Sequence, residues 1–246
     1  MGGPLVGRTA LVTGGSRGVG KGITARLVHD GAAVMIGYKQ DDKVAKETVA
    51  ELGCDGGVRA VRADLTSPTG ICRLFDQVEE QLGGLDILVN NAAVMHRATF
   101  ADTSEELFDN IMALNLKGTF FALQQAAHRM RDGGRIVNVS SAATLLAHPS
   151  HAAYSASKAA VEQMTRVAAK EFAGRGITVN SVAPGAVETE QLSAQLAPEV
   201  LRQWSKSNAF GRLAQPEDIA DVVAFLAGPD SRWLTGQNLR ATGGAL

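Results

Sequence analysis

Tyr154 and Lys158, in the run Tyr154-Ser-Ala-Ser-Lys158, are the side chains best suited by type and spacing to move a proton. Four positions apart, they fall one turn apart on one face of a helix. An ammonium held near a phenol favours the phenolate, drawing its pKa down from ~10 toward the working range. Tyr154 then suits a general acid/base acting on a carbonyl or a hydroxyl. Taken alone, a Tyr and a Lys at this spacing usually mean surface packing, so the pair needs company. It has some in Thr13-Gly14-Gly15-Ser16-Arg17-Gly18-Val19-Gly20, which follows an apolar run and opens a helical stretch near Gly18. Glycines let the backbone turn tightly and approach a ligand with no Cβ in the way. The helix start behind them offers unpaired N–H groups and partial positive charge to a pyrophosphate.

Those two clusters need a scaffold to bring them together, and the rest of the chain reads as one. Short β-branched runs at Thr9–Val12, Ala33–Gly37, Val58–Arg62, Asp86–Asn90, Arg135–Ser140, Thr178–Val182 and Asn238–Ala241 are predicted strands. Longer amphipathic stretches near Gly18–His29, Asp41–Leu52, Pro68–Leu82, Ser104–Arg131 and Ala152–Ala173 are predicted helices, with two more inside Leu192–Lys206 and Pro216–Leu226. This alternation argues for a parallel, doubly wound α/β sheet covered on both faces. Asp86-Ile-Leu-Val-Asn90 is almost continuously apolar, as a strand buried on both sides should be. Gly and polar residues collect just after the strands, at Thr13–Gly20, Asp64, Asn90–Asn91, Ser140–Ser141 and Pro184–Gly185. Ligands of open α/β sheets bind outside the carboxyl ends of the strands, so these clusters should converge on one crevice.

Composition narrows the partners. Of 246 residues, 45% are hydrophobic and 20% charged, with 24 Lys and Arg against 25 Asp and Glu, a net charge of −1. That apolar fraction builds a large core, and the charge balance gives no sign of a nucleic-acid or anionic-membrane partner. No apolar run approaches the ~18–20 residues of a membrane span. Met1–Arg8 does not read as a secretory signal, and Val6 stands where a myristoylation signal asks for Ser or Thr. The two cysteines, Cys54 and Cys72, have no Cys or His neighbour at metal-ligand spacing, so no metal site is expected. A disulfide between them stays open, with reduced thiols in a cytoplasmic protein the expectation. No repeat or linker divides the chain, so residues 1–246 are expected to form one domain.

Taken together, these motifs resemble the short-chain dehydrogenase/reductase family along essentially the whole chain, from Thr13 to Gly243–Gly244. Gly14, Gly18 and Gly20 match the family's glycine motif, and Asn90-Asn91-Ala92-Ala93 is similar to its N-N-A-G. Tyr154 and Lys158 match its Y-x-x-x-K, with Ser141 13 residues before Tyr154 where the catalytic serine is expected. Asn115, within Leu114-Asn115-Leu116-Lys117, matches the tetrad asparagine, and Pro184-Gly185-Ala-Val187-Glu-Thr189 is similar to the segment that closes over a nicotinamide. The resemblance implies a Rossmann-type fold of about seven strands. It also implies hydride transfer to a carbonyl carbon, with Tyr154 passing the proton. Lys158 would lower the tyrosine pKa and hold ribose hydroxyls, Ser141 would bond the substrate oxygen, and Asn115 would hold a water linking Lys158 to solvent. Ser140 is the rival serine; alternation along a strand lets only one of the pair face the crevice, and spacing favours Ser141. An Asn inside a helical stretch is mildly unfavourable in any case and asks for a reason.

Cofactor choice turns on the residue ending the second strand. Tyr38 stands where the family's NAD-type members carry Asp, and no carboxylate appears before Asp41. Arg17 and Lys39 would flank a 2′-phosphate, with Tyr38 adding a hydroxyl or a stacking surface. NADP(H) is therefore expected, held by Gly14, Ser16, Arg17, Gly18, Val19 and Gly20, by Tyr38 and Lys39, and by Asp64-Leu65 at the adenine. Asn91, Ala92, Ala93, Pro184, Gly185, Val187 and Thr189 would contact it nearer the nicotinamide, with Tyr154 and Lys158. Ala93 departs from the family's Gly and adds a methyl there.

Substrate contacts are expected from Val94, His96, Leu145, His148, His151 and Leu192, in loops that include residues 186–210. Leu145, Leu146, Val187 and Leu192 suggest an apolar wall. A ketone or its secondary alcohol is the expected substrate, free or carried as a 3-oxoacyl group on acyl carrier protein. Arg129, Arg131, Arg135 and Arg175 would form the basic rim that such an acidic carrier needs. An NAD-dependent alcohol dehydrogenase and a non-catalytic dinucleotide-binding scaffold are the other readings. The resemblance further implies a homotetramer, with the helices at Ser104–Arg131 and Ala152–Ala173 pairing across a dyad and the Trp233–Gln237 tail at a further contact. Val161, Met164, Val167, Ala168 and Phe172 read as a surplus apolar face for that pairing.

Overall fold

Seven parallel strands stand in the order β3-β2-β1-β4-β5-β6-β7 in a computed structural model that describes residues 3–53 and 57–246. They are β1 (Thr9–Thr13), β2 (Ala33–Tyr38), β3 (Val58–Arg62), β4 (Leu85–Asn90), β5 (Met130–Val139), β6 (Thr178–Pro184) and β7 (Asn238–Ala241). Cys54, and with it the question of a disulfide to Cys72, lies outside the described residues. Helices cover both faces, so this is the doubly wound, Rossmann-type sheet that the strand–helix rhythm predicts. Among the described residues no helix is long and apolar enough to cross a membrane.

Alternation along the strands divides the core in two. Ala10, Val12, Val34, Ile36, Ile87, Val89, Val137 and Val182 face one way. They pack on Ile23 and Leu27 of α1 (Gly18–His29), with α2 (Asp42–Leu52) beside it, and on Ile219 and Val223 of α10 (Pro216–Ala227). Leu11, Met35, Leu88, Ile136 and Val179 face the other way. They meet Leu74, Phe75 and Val78 of α3 (Pro68–Leu82), Ala122 and Ala126 of α5 (Thr119–Arg129), and Ala168 and Phe172 of α7 (Ala152–Glu171). Ala168 and Phe172 are thus part of the chain's own core, Met164 packs against it, and Val161 is buried as well. This corrects the expectation of a surplus apolar face on that helix, of which only Val167 is left exposed.

The helix predicted over Ser104–Arg131 is broken in two. Ser104 caps α4 (Glu105–Met112) by accepting from Leu107 N at 3.1 Å, and the backbone then widens into a π-helical segment, Ala113–Gly118, before α5. Gly118 sits against another chain segment: a Cβ there would stand 2.8 Å from Leu65 O. Helix ends at Arg129 because Met130 turns extended and joins β5 opposite Leu85. The remaining helices, α6 (Ala143–Leu146), α8 (Glu190–Gln195) and α9 (Pro198–Ser205), follow β5 and β6.

Connection direction reverses between β1 and β4, which opens a crevice at the carboxyl ends of the strands. At the opposite end Asp86 locks the central strands together. Its carboxylate, 4% exposed, accepts from Thr9 N and Thr9 Oγ1 at 2.9 Å each, and pairs with Arg8 at 3.1 Å and Arg131 at 2.9 Å. Burial works to raise its pKa, but the Thr9 bonds and both guanidinium groups prevail and hold it below the usual carboxylate range. A depressed folded-state pKa gives stability that is present above ~pH 4 and lost as pH falls further. We expect Asp86→Ala to cost about 3 kcal/mol in urea unfolding at neutral pH. The gap to wild type should narrow below about pH 4; a gap that stays constant into acid removes the carboxylate from this role.

Candidate active site

The turn from β1 into α1 is a backbone cradle. Gly14 and Gly18 take φ of +65° and +50°, which glycine alone adopts freely. A Cβ on Gly20 would stand 2.1 Å from Gly14 O, so no larger residue fits there. The first turn of α1 has neither a side-chain cap nor an acidic residue, leaving its N–H groups for an anion. Asn91, just past β4, donates its amide to Thr13 O at 3.0 Å and Gly14 O at 3.2 Å. Thr13 Oγ1 in turn accepts from Asn91 N and Ala92 N at 3.0 and 3.1 Å. The glycine turn is therefore stitched to the end of the neighbouring strand.

This cradle is one end of a crevice of about 1520 Å³. Its wall includes Ser16, Arg17, Val19, Tyr38, Lys39, Leu65, Asn91, Ala92 and Ala93, then Pro184, Gly185, Val187 and Thr189, and at the far end Ser141, Tyr154 and Lys158. Three expected site residues lie elsewhere. Asp64 is off the wall, its exposed carboxylate bonding Thr66 and pairing with Lys39 at 3.1 Å, and Leu65 and Thr66 face the crevice instead. Leu145 points to solvent, and its neighbour Leu146 supplies the apolar wall. Asn115 is fully buried behind it.

Asn115 explains the break in its helix. Its amide pairs with both backbone polar groups of Val94, accepting from Val94 N and donating to Val94 O at 2.9 Å each, and reaches Ser157 Oγ at 3.1 Å. The side chain anchors the Ala92–Val94 strip to α7, and the residue's own carbonyl accepts from Thr119 Oγ1 at 2.8 Å.

Ser140 and Ser141 both border the crevice just past β5, and their hydroxyls take different partners. Ser140 is buried and donates to Glu162 Oε1 at 2.7 Å, while Ser141 accepts from Ala143 N at 3.2 Å. Thr144 Oγ1 donates to the same Glu162 oxygen at 2.9 Å, and Ser155 Oγ to Ala143 O at 3.1 Å. The turn carrying Ser141 is thus bolted to α7, the helix that carries Tyr154 and Lys158. Glu162 and Ser155 are parts of this frame that the motif spacing does not single out.

Burial raises the Tyr154 pKa, and the Ser141 hydroxyl facing the phenol pulls it partway back. The expected lowering by Lys158 is corrected: its ammonium is turned to Val139 O, 2.7 Å away. Lys158 is 3% exposed, and burial brings its pKa down to about 8.

At the nucleotide end, Arg17 pairs with Asp41 at 3.1 Å, and the Tyr38 hydroxyl bonds Asp42 while burial raises its pKa. At the opposite, open end, Val94, His96, His148, His151 and Leu192 all reach the crevice, joined by Met95, Trp204 and Phe210. Trp204 stacks on His148 with ring centres 6.2 Å apart, and Arg97 lies 5.2 Å over its ring. The only sequence signal for Trp204 was its place among the substrate-loop residues.

The basic rim is not at this crevice. Arg131 and Arg135 lie at the start of β5, at the end of the sheet opposite Ser141. All four arginines are engaged: Arg129 with Asp76, Arg131 with Asp86, Arg175 with Asp132, and Arg135 with the Gly133 and Gly134 carbonyls.

Residues 14–245 match a family profile described as enoyl-(acyl carrier protein) reductase. A short-chain type dehydrogenase/reductase of Picea abies is 42% identical over 251 residues, spanning 98% of this chain and 93% of its own. A hydroxynaphthalene reductase-like protein of Metarhizium majus is 40% identical over 256 residues, spanning 98% and 96%. The crystal structure of the angucycline C-6 ketoreductase LanV with bound NADP superposes with a TM-score of 0.94 at 43% identity, covering 100% of this chain and 98% of that one.

Lys158 offers a test of the buried electrostatics. Its folded pKa of about 8 lies below the unfolded 10.5, so between them the unfolded chain holds the extra proton and stability rises with pH. Below that window the buried charge costs about 3 kcal/mol, offset in part by its bond to Val139 O. We expect Lys158→Met to be the more stable protein at neutral pH by about 1–2 kcal/mol. That advantage should shrink as pH climbs from about 8 to 10, followed by urea unfolding.

Proposed function

The chain belongs to the short-chain dehydrogenase/reductase family, and we propose that it is an NADP(H)-dependent ketoreductase with Tyr154 as general acid. The observation that carries this reading is that one crevice joins the glycine cradle to the cluster of Ser141, Tyr154 and Lys158. The cradle fits a dinucleotide pyrophosphate: its glycines leave no room for a Cβ, and the start of α1 is uncapped. The nicotinamide of a dinucleotide held by that cradle would supply the hydride for the substrate's carbonyl carbon.

The protein's own groups do the rest. Ser141 bonds the carbonyl oxygen and fixes its geometry. The Tyr154 hydroxyl donates its proton to the oxygen as negative charge develops. A phenol kept protonated by burial is ready for this direction, whereas alcohol oxidation needs the phenolate and gains with rising pH. Lys158, with a pKa near 8, is poised to exchange protons one turn from Tyr154.

Arg17 and Lys39 would hold the 2′-phosphate that distinguishes NADP, with Tyr38 beside them. Their present partners, Asp41 and Asp64, are about half exposed, and such pairs contribute only ~0–1 kcal/mol, little for a dianionic phosphate to displace. The bound NADP of the LanV structure supports the same choice. A carrier-protein substrate loses its main support, since the arginines proposed as its docking rim sit at the wrong end of the sheet. For assembly we favour a homotetramer, supported by the exposed Phe108, Phe120 and Val167 on α4, α5 and α7.

Fluorescence titration should give NADPH at least ~30-fold tighter binding than NADH. Arg17→Ala and Lys39→Ala should each weaken NADPH by about 10-fold and leave NADH unchanged. Tyr154→Phe should lower kcat by ~10²–10⁴ while NADPH still binds; retained kcat removes Tyr154 from the chemistry. Light scattering should show about four chains per particle, and a monomer at micromolar concentration sinks the assembly reading.

A further inference from the structure

Among the described residues only Ala147 and Ser150 are non-glycine positions in the left-handed region, at φ of +47° and +65°. Such conformations cost of order 1–3 kcal/mol and persist where surrounding contacts enforce them. Here the contacts are specific. Ala98 N donates to Ser150 O at 3.0 Å, and the His148 ring between the two positions stacks on Trp204. The outcome of this kinked segment is the placement of His151 at the N-cap of α7, three residues before Tyr154 and on the crevice wall.

His151 is 6% exposed, and its Nδ1 lies 3.0 Å from Pro149 O. A carbonyl oxygen can only accept, so Nδ1 carries the hydrogen and, in the neutral ring, Nε2 is left as an acceptor. Burial first, then the nearby charges of Arg97 and His148, lower the pKa, against the opposing Pro149 bond, and keep the ring neutral. Among the described residues no donor reaches Nε2. The His148 ring, 5.8 Å away, restrains the imidazole from the side. The crevice wall that His151 shares also carries the apolar side chains of Met95, Leu146, Leu192 and Trp204.

We propose that His151 is the hydrogen-bond acceptor that selects ketones bearing a hydroxyl group within one ring of the reacting carbonyl. This rests on the ketoreductase reading and adds the substrate class. An aromatic ketone with a phenolic hydroxyl satisfies the apolar wall and the acceptor together. A ketone without the hydroxyl leaves Nε2 desolvated and unpaired, and sites built for a substrate O–H reject such analogues strongly.

The test is NADPH-dependent reduction of 1-tetralone and its ring-monohydroxylated derivatives. Wild type should favour the best hydroxylated ketone over the parent by about 10-fold or more in kcat/KM. His151→Leu should lower that ketone's kcat/KM about 10-fold more than the parent's. His151→Gln, whose amide oxygen can accept, should keep most of the preference. An equal fall for every ketone, or an unchanged preference, overturns the acceptor role while ketoreduction stands. If His151→Leu does not fold, the wild-type preference decides, and its absence overturns the proposal. Failure of wild type to reduce any of these ketones overturns the reading beneath it as well.

Discussion

Gly20 and Gly14 approach so closely that one added carbon would collide with a carbonyl oxygen, and that contact governs the geometry of the crevice. It lets α1 begin directly at the end of β1, with its free N–H groups aimed outward. Asn91 and Thr13 then tie the turn to β4, across the seam where the connection direction reverses. From β4 the constraint passes onward: Ala92–Val94 is paired by Asn115, and Asn115 reaches Ser157 on α7. The cradle and the acid–base cluster are thereby held by one line of hydrogen bonds rather than by two independent loops.

α7 gathers the chemistry because it is fastened at several points. Glu162 and Ser155 hold the turn of Ser141, and Lys158 holds the end of β5. A polar group buried this deeply is costly unless paired, so each bond also restricts where its neighbours can go. Lys158 shows the tension most clearly. Its burial brings an ammonium toward neutrality in the range where a proton relay is useful, and the same burial costs folding stability.

Charge is distributed unevenly between the two ends of the sheet. At the amino ends, Asp86 and the arginines close on one another and on backbone carbonyls, and they serve cohesion. At the carboxyl ends, Arg17 and Lys39 have only half-exposed carboxylate partners that solvent already screens. Cations of the second kind can exchange partners with an arriving anion, whereas Arg8 and Arg131 would leave the buried Asp86 carboxylate unpaired by doing so.

Much of this was legible along the chain. Short β-branched apolar runs separated by longer amphipathic stretches located the seven strands, and the α1 and α3 bounds coincide with their amphipathic stretches, because these depend on neighbours within a few positions. The glycine turn and the Tyr154/Lys158 pair are local patterns too. Sequence by itself therefore determined the doubly wound fold and the family, and which short segments meet at the carboxyl ends of the strands. Tertiary structure alone decided what long or buried side chains touch. It broke the predicted Ser104–Arg131 helix where Asn115 turns to Val94. It also sent the Lys158 ammonium to Val139, left Leu146 rather than Leu145 on the wall, and directed the arginines away from the crevice. Each outcome depends on desolvation and on partners tens of residues distant, and neither leaves a periodic mark in the chain.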